Sequence, residues 1–365
     1  MQPIRVLQIV TYMGRGGLET MLMNYYRHID RRKVQFDFLV HRDFKADYDE
    51  EIQSIGGKIY HVPRLIPWSR SYRGKLKDFL NAHPEYKIVH VHQDCLSSVA
   101  LQCAKECGVP VRIAHSHNSN QDKNLRFIIK KYYMKQIPEF ATDLLACSKK
   151  AGDWMFCGKA YDVLVNAIDL KNYTYNSNIA EGSRNKFGIT NELVVGHIGR
   201  FRKQKNHMFL LDIMTEIVKN VPTAKLLLIG DGDEFISVKE KAQQLGLERN
   251  VIFAGNRSDV NEIMQAMDVF VFPSLYEGLP VTMIEAQASG LHCVISDKVP
   301  EECIVTTGLV TVKSLTDSAK DWAEHILKQA KLPRENKICE IKGSGYDIST
   351  AAQWLEEFYL NKVEG

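Results

Sequence analysis

The stretch richest in chemistry runs Phe270-Val-Phe-Pro273-Ser-Leu-Tyr-Glu277-Gly278-Leu279-Pro280-Val-Thr-Met-Ile-Glu285-Ala-Gln-Ala-Ser-Gly290. A strand ending at Pro273 and a helix beginning at Pro280, with Gly290 as its stop, leave the loop Ser274–Leu279 with free backbone amides at a strand end. Such amides suit anions or sugar hydroxyls. On a 3.6-residue wheel Glu285 falls inside the stripe of Val281, Ile284 and Ala288. An ionised carboxylate is costly there unless something polar meets it, and a ligand is one such partner. A glutamate emerging at the helix edge is the alternative. A second constellation, Val195-Gly-His-Ile-Gly199-Arg200-Phe-Arg202-Lys203-Gln-Lys205-Asn206, gathers positive charge behind another strand. A third, Thr11-Tyr-Met-Gly14-Arg-Gly16-Gly17-Leu-Glu19, follows the first strand, and its glycines let backbone approach a phosphate or an acceptor. It is not the dinucleotide fingerprint Gly-x-Gly-x-x-Gly.

Glu277 and Glu285, eight apart, resemble the two-glutamate motif of family 4 retaining glycosyltransferases, and the likeness spans nearly the whole chain. The resemblance implies a GT-B fold, in which the first glutamate contacts the donor sugar and the second the ribose hydroxyls. Those roles map to Glu277 and Glu285, assisted by the amides of Gly278 and Leu279, and charge-assisted bonds to two ribose hydroxyls would also resolve the burial of Glu285. The family places an arginine and a lysine on the donor diphosphate, which maps to Arg200 and Lys205. These cations stand in for a metal ion, because the nucleotide leaves with added negative charge. Asn206 departs from the glycine that commonly follows the lysine. The family's glycine pair over the diphosphate maps to Gly16 and Gly17.

Two strand ends carry alternate histidines, His90-Val-His92 and His115-Ser-His117, and alternation puts both members of a pair on one face. Zinc is the competing reading, but no acidic or cysteine cluster adds ligand spacing. By resemblance, His115 marks the histidine beside the transferred sugar, with His117 close behind; a shift of register exchanges them. Asp231-Gly-Asp233 reads as a glycine-rich turn with no companion carboxylates, not a metal motif. The nucleotide base is expected near Gly255-Asn-Arg257-Ser, with Arg257 as the side chain.

These residues need a frame, and both halves read as strands alternating with helices, the pattern of parallel α/β sheets. Expected strands are Val6–Val10, Phe36–Val40, Lys58–Val62, Ile88–His92, Val111–His115 and Asp143–Cys147, then Leu193–Ile198, Lys225–Ile229, Val251–Ala254, Val269–Phe272 and His292–Ser296. The reading is two Rossmann-like domains facing across a cleft: residues 1–165 on the acceptor side and 166–346 binding the nucleotide sugar. The helical pattern within 347–363 is expected to pack back on the first.

Eight cysteines without a Cys-x-x-Cys read as packed thiols, and no apolar leader precedes the first strand, so a cytoplasmic protein is expected. Net charge is +3, yet residues 1–165 hold 25 Lys+Arg against 17 Asp+Glu and the remainder 22 against 27. The basic amphipathic segment 123–135 is expected to touch an anionic membrane, or else to be a solvated helix face. No nucleic-acid partner and no cofactor or metal are expected. The expected reaction moves a sugar with retention from a nucleotide diphosphate sugar, UDP-linked by preference, to an acceptor hydroxyl. Resemblance in Gly16-Gly17-Leu-Glu19, His115-Ser-His117-Asn118 and Lys205-Asn-His207 points to bacterial capsule or exopolysaccharide assembly on a lipid-linked saccharide, at the inner face of the membrane. A sugar-nucleotide epimerase on the same fold, a non-catalytic nucleotide-sugar-binding protein and a nicotinamide dehydrogenase are the rivals, the last disfavoured by the missing fingerprint.

Overall fold

A computed structural model describes residues 2–118 and 125–364, with backbone alone at 125–127 and 364. The chain divides into two compact units, 1–168 with 347–365, and 169–346. The division falls after Ile168 rather than after Val165, because the Ile168 carbonyl accepts from the Ile348 amide at 3.1 Å and ties that point to the chain's end.

The first unit holds β1 (Ile4–Val10), β2 (Val34–Val40), β3 (Ile59–His61), β4 (Ile88–Val91), β5 (Val111–Ser116), β6 (Asp143–Ala146) and β7 (Asp162–Val163), in the order β3-β2-β1-β4-β5-β6-β7. The second holds β8 (Val194–Ile198), β9 (Lys225–Ile229), β10 (Val251–Gly255), β11 (Val269–Phe272), β12 (His292–Ser296) and β13 (Val310–Lys313), in the order β10-β9-β8-β11-β12-β13. Every pairing is parallel. Such sheets are covered on both faces, so their inner strands are buried along their length: all seven residues of β2 are buried, Gln35 and Asp37 among them. The edge strands β7 and β13 are additions to the expected set, β7 exposed and too short to carry a pattern.

Alternation along each strand sends neighbours into different cores. Leu7, Ile9, Val89 and Val91 pack with Leu76 and Leu101 on one face; Val6, Val10, Phe36, Phe38, Ile88 and Ile113 pack on the other with Tyr25, Ile348, Leu355 and Tyr359. The helix Ile348–Glu364 thus belongs to the core of the first unit. In the second unit Val195, Leu226, Leu228, Val269 and Val271 meet Leu210, Leu211, Ile213 and Trp322. Each such side chain contributes about 1.5–3 kcal/mol by leaving water. In both sheets the chain turns to the opposite side once, between β1 and β4 and between β8 and β11. Connections diverge there and open a crevice beyond the carboxyl ends of the strands.

Several local expectations change. Pro280 is the N-cap of helix Val281–Ala288 in extended backbone (φ −74°, ψ 105°), not its first helical residue. Gly290 does end that helix: its φ is +68°, and a side chain there would meet the Glu335 carbonyl. The buried surface of this helix is wider than one stripe, since Met283 is as buried as Ile284. Of the segment 123–135, Lys123 lies outside the described residues; the rest opens helix Leu125–Phe140. Met134 and Ile137 are buried in the core there, with Tyr133 and Phe140 packed against it, and Ile128, Ile129 and Tyr132 share the exposed surface with Lys131 and Lys135. Basic and apolar residues are therefore mixed rather than segregated. All eight cysteines are free thiols. Among the described residues no helix is long and apolar enough to cross a membrane.

Candidate functional site

In the second unit the site assembles at the β8/β11 reversal. The Gly199 amide donates to Ile229 at 2.9 Å and the Phe201 amide to Asp231 at 3.0 Å, so the loops after β8 and β9 lie backbone to backbone. Gly230 makes this possible: at φ +138°, an added Cβ would stand 2.2 Å from the Gly199 carbonyl. The arrangement turns Arg200 out into solvent, together with Arg202 and Lys203. A short turn, Lys203–Lys205, then ends at Asn206 with φ 57° and ψ 42°. That is the left-handed conformation in which glycine is cheapest and asparagine is among the tolerated alternatives. The departure from the family's glycine therefore preserves the backbone, and the Asn206 side chain adds a bond from Nδ2 to the Pro273 carbonyl at 3.1 Å.

This anchoring brings Lys205 to the end of β11. Its ammonium lies 2.8 Å from Glu277 Oε1 and 4.4 Å from the centroid of the Phe272 ring. The other carboxylate oxygen, Glu277 Oε2, accepts from Gln204 Nε2 at 3.2 Å; the same amide also donates to the Tyr276 carbonyl at 3.0 Å. With side chains only 16% and 6% exposed, the Lys205–Glu277 pair sits largely out of water. Pairs so placed contribute little net stability against their desolvation, so stability alone does not account for this one. No hydrogen bond among the described residues takes the amides of Gly278 or Leu279.

Glu285 is half-buried in helix Val281–Ala288, and its carboxylate accepts from the Tyr173 hydroxyl at 2.7 Å. Burial pushes its pKa up, with the Tyr173 bond opposing. Arg257 is not drawn into this group: both arms of its guanidinium are on Asp259, at 2.8 and 2.7 Å, and it follows β10, the edge strand. The expected base contact would have to break that bidentate pair. Asp231 accepts from the next residue's amide, Gly232, in an exposed turn. Gln204 and Tyr173 are additions. The first stands between two lysines that carry the charge of the motif, and the second comes from 112 positions upstream of Glu285 with no local signal.

In the first unit, Gly16 caps helix Gly17–His28 in extended backbone, with no side chain on the first amides. Neither glycine has a positive φ, and a Cβ on Gly17 would meet nothing within 4 Å. The chain itself does not require glycine at 17, which leaves open space before the helix amides. The four histidines lie on one face at the ends of β4 and β5, the face covered by helix Ile348–Glu364. His90 Nδ1 meets the Tyr359 hydroxyl at 2.7 Å; His92 meets Gln8 at 2.9 Å and His117 Nε2 at 2.8 Å. His115 stacks on His90 with centroids 5.2 Å apart, and neither of its ring nitrogens has a partner among the described residues. Burial, then the neighbouring rings, hold His90, His92 and His115 well below the ordinary histidine range, and burial alone lowers His117 to about 3. His115, 1% exposed, is the inner member of its pair, and the half-buried His117 is the one that reaches the surface. Nitrogens of His90, His92 and His115 fall within 4.8 Å of one another. His92, however, has both its nitrogens engaged by Gln8 and His117.

Comparison with known proteins locates the chain. A family model described as "Glycosyltransferase Family 4" matches residues 15–171, and one described as "Glycosyl transferases group 1" matches 180–343. EpsF of Bacillus subtilis (strain 168), which carries a glycosyltransferase name, is 38% identical over 99% of this chain and 97% of its own. The UDP-Gal:alpha-D-GlcNAc-diphosphoundecaprenol alpha-1,3-galactosyltransferase of Escherichia coli is 26% identical over 76% of each chain. The crystal structure of Anabaena Alr3699/HepE in complex with UDP and glucose has the same fold, with a TM-score of 0.79 at 18% identity over 98% of this chain and 99% of its own.

Proposed function

The chain belongs to the family 4 glycosyltransferases, and from that premise we propose that it moves a sugar from a UDP-linked donor, with retention and without a metal, to an acceptor hydroxyl on a lipid-linked saccharide during capsule or exopolysaccharide assembly. The observation that carries the proposal is the desolvated Lys205–Glu277 pair at the β8/β11 reversal. Arg200 and Lys205 hold the diphosphate, Glu277 the sugar, and the amides of Gly278 and Leu279 complete the cradle. The bond from the sugar's anomeric carbon to the diphosphate breaks as that carbon bonds the acceptor oxygen on the same face. The acceptor's proton passes to a departing phosphate oxygen, so no side-chain base is needed. Glu285 accepts the ribose hydroxyls, and a ligand there gives an otherwise costly carboxylate its partners. For the histidine beside the sugar, accessibility favours His117 over His115.

The named relative that acts on a diphosphoundecaprenol saccharide supports the acceptor class and a place at the inner face of a membrane. The exposed Ile128, Ile129 and Tyr132 beside Lys131 and Lys135 support membrane contact through that helix. The test is a thermal-shift screen of nucleotide sugars, since a ligand that binds only the folded chain raises its melting point, followed by transfer assays with and without a lipid-linked acceptor. A melting point that no UDP-sugar moves removes the donor assignment. Conversion of donor alone into an epimer removes the transferase.

A further inference from the structure

The first unit has its own reversal point, between β1 and β4, and a cavity of about 230 Å³ lies beyond the strand ends there. Thr11 follows β1, His41 and Arg42 follow β2, Arg64 and Leu65 follow β3, and His92 to Leu96 follow β4; Lys130 closes the cavity from helix Leu125–Phe140. Three cations and one carboxylate, Asp94, therefore line one small space. Asp94 is held in a left-handed backbone (φ 48°) and accepts from Asn118 at 2.8 Å. Its pKa is raised by burial and lowered by Asn118 and the nearby Lys130. Arg42 donates to the His41 carbonyl, and neither Arg42 nor Arg64 pairs with a carboxylate among the described residues. Two guanidiniums with no carboxylate on either repel one another along one cavity, and the fork geometry of arginine fits phosphate oxygens. The wall beyond Arg64 is apolar: Leu65 lines the cavity, and Ile66 and Trp68 continue the chain at 42% and 67% exposure. A large aromatic left this far in water beside a cationic cavity fits a ligand that is anionic at one end and greasy at the other.

We infer that this cavity takes the phosphate or diphosphate of the acceptor, with Arg42, Arg64 and Lys130 on its oxygens and its apolar chain led away along Leu65, Ile66 and Trp68. The inference rests on the glycosyltransferase reading above and assigns the acceptor's charged end to the first unit. Geranyl diphosphate and inorganic pyrophosphate are the probes, titrated calorimetrically into the full chain saturated with UDP, so that the diphosphate cradle of the second unit is filled. Geranyl diphosphate should bind; Arg42→Ala/Arg64→Ala, or Arg64→Glu alone, should weaken it about tenfold or more while leaving UDP affinity and the melting point unchanged. Trp68→Ala should weaken geranyl diphosphate but not pyrophosphate. Failure of geranyl diphosphate to bind the wild type, or equal binding by the double variant, overturns the inference. Pyrophosphate binding as tightly as geranyl diphosphate, with no effect of Trp68→Ala, makes the cavity a free-phosphate site and overturns the amphiphilic ligand. Absence of UDP binding with geranyl diphosphate binding intact would instead sink the donor reading and leave the cavity's assignment standing.

Discussion

At the residue scale, Lys205 and Arg200 illustrate how one proposed role leaves two different stability signatures. Removing Lys205 strands the Glu277 carboxylate, 6% exposed, so Lys205→Ala should cost about 3–5 kcal/mol of stability besides its loss of donor binding. Arg200 is exposed, so Arg200→Ala should leave the melting point in place and weaken donor binding about tenfold or more. Replacing the pair together, Lys205→Met with Glu277→Leu, should recover stability but not turnover; a recovered rate would contradict the assignment. Glu285 supplies a pH test. Its folded pKa is raised, so its ionisation costs the free fold stability as pH rises through that value, whereas the ribose contact needs the ionised form. UDP affinity should therefore fall as pH drops through a point above the ordinary carboxylate range, and Glu285→Gln should bind weakly with that dependence gone. Calorimetric titration across pH reads both. At Asn206 the left-handed backbone should limit the cost of Asn206→Gly to its lost bond to Pro273, about 1 kcal/mol, and make Asn206→Ala costlier still by about 1–2 kcal/mol, measured by denaturant unfolding.

Elements decide how much of this was legible beforehand. Long parallel strands announce themselves as apolar runs between turn residues, so β1, β2, β8, β9, β11 and β12 could be placed within two residues of their ends from composition and spacing. Edge strands carry no such run: Asp162–Val163 has two exposed residues and is a strand only because β6 offers it a partner. The same division holds for the site. Lys205, Glu277 and Glu285 sit in local motifs, whereas Tyr173 reaches Glu285 from a separate helix, a meeting that only the folded chain reveals. The histidine pair shows the limit of alternation. It fixes a shared face but not which member is covered, and that was decided by depth, with His115 inside and His117 at the rim. The first turn of helix Gly17–His28 yields an element-scale prediction: because a methyl group at 17 meets nothing, Gly17→Ala should fold as well as the wild type. If its open space serves a ligand, transfer should drop with the melting point unmoved; full activity would return those glycines to ordinary loop chemistry.

For the molecule as a whole, the shared plan of the two units matters more than any single contact. Each is an open parallel sheet with one reversal point, and polar, charge-bearing residues gather at both: Lys205 and Glu277 in the second unit, Arg42, Arg64 and Asp94 in the first. The final helix departs from simple sequence order, since Ile348, Ala352, Leu355 and Tyr359 fill the core of the unit that begins the chain. On a ribosome this reverses the usual precedence. Residues 169–346 can close as soon as they emerge, whereas the amino-terminal half must wait about 10–35 s, at translation rates of about 5–20 residues per second, for the last stretch that seals it. During that interval the bare flank of its sheet is open to chaperones, and a released chain truncated after residue 346 should be protease-resistant in its later half and labile in its earlier one.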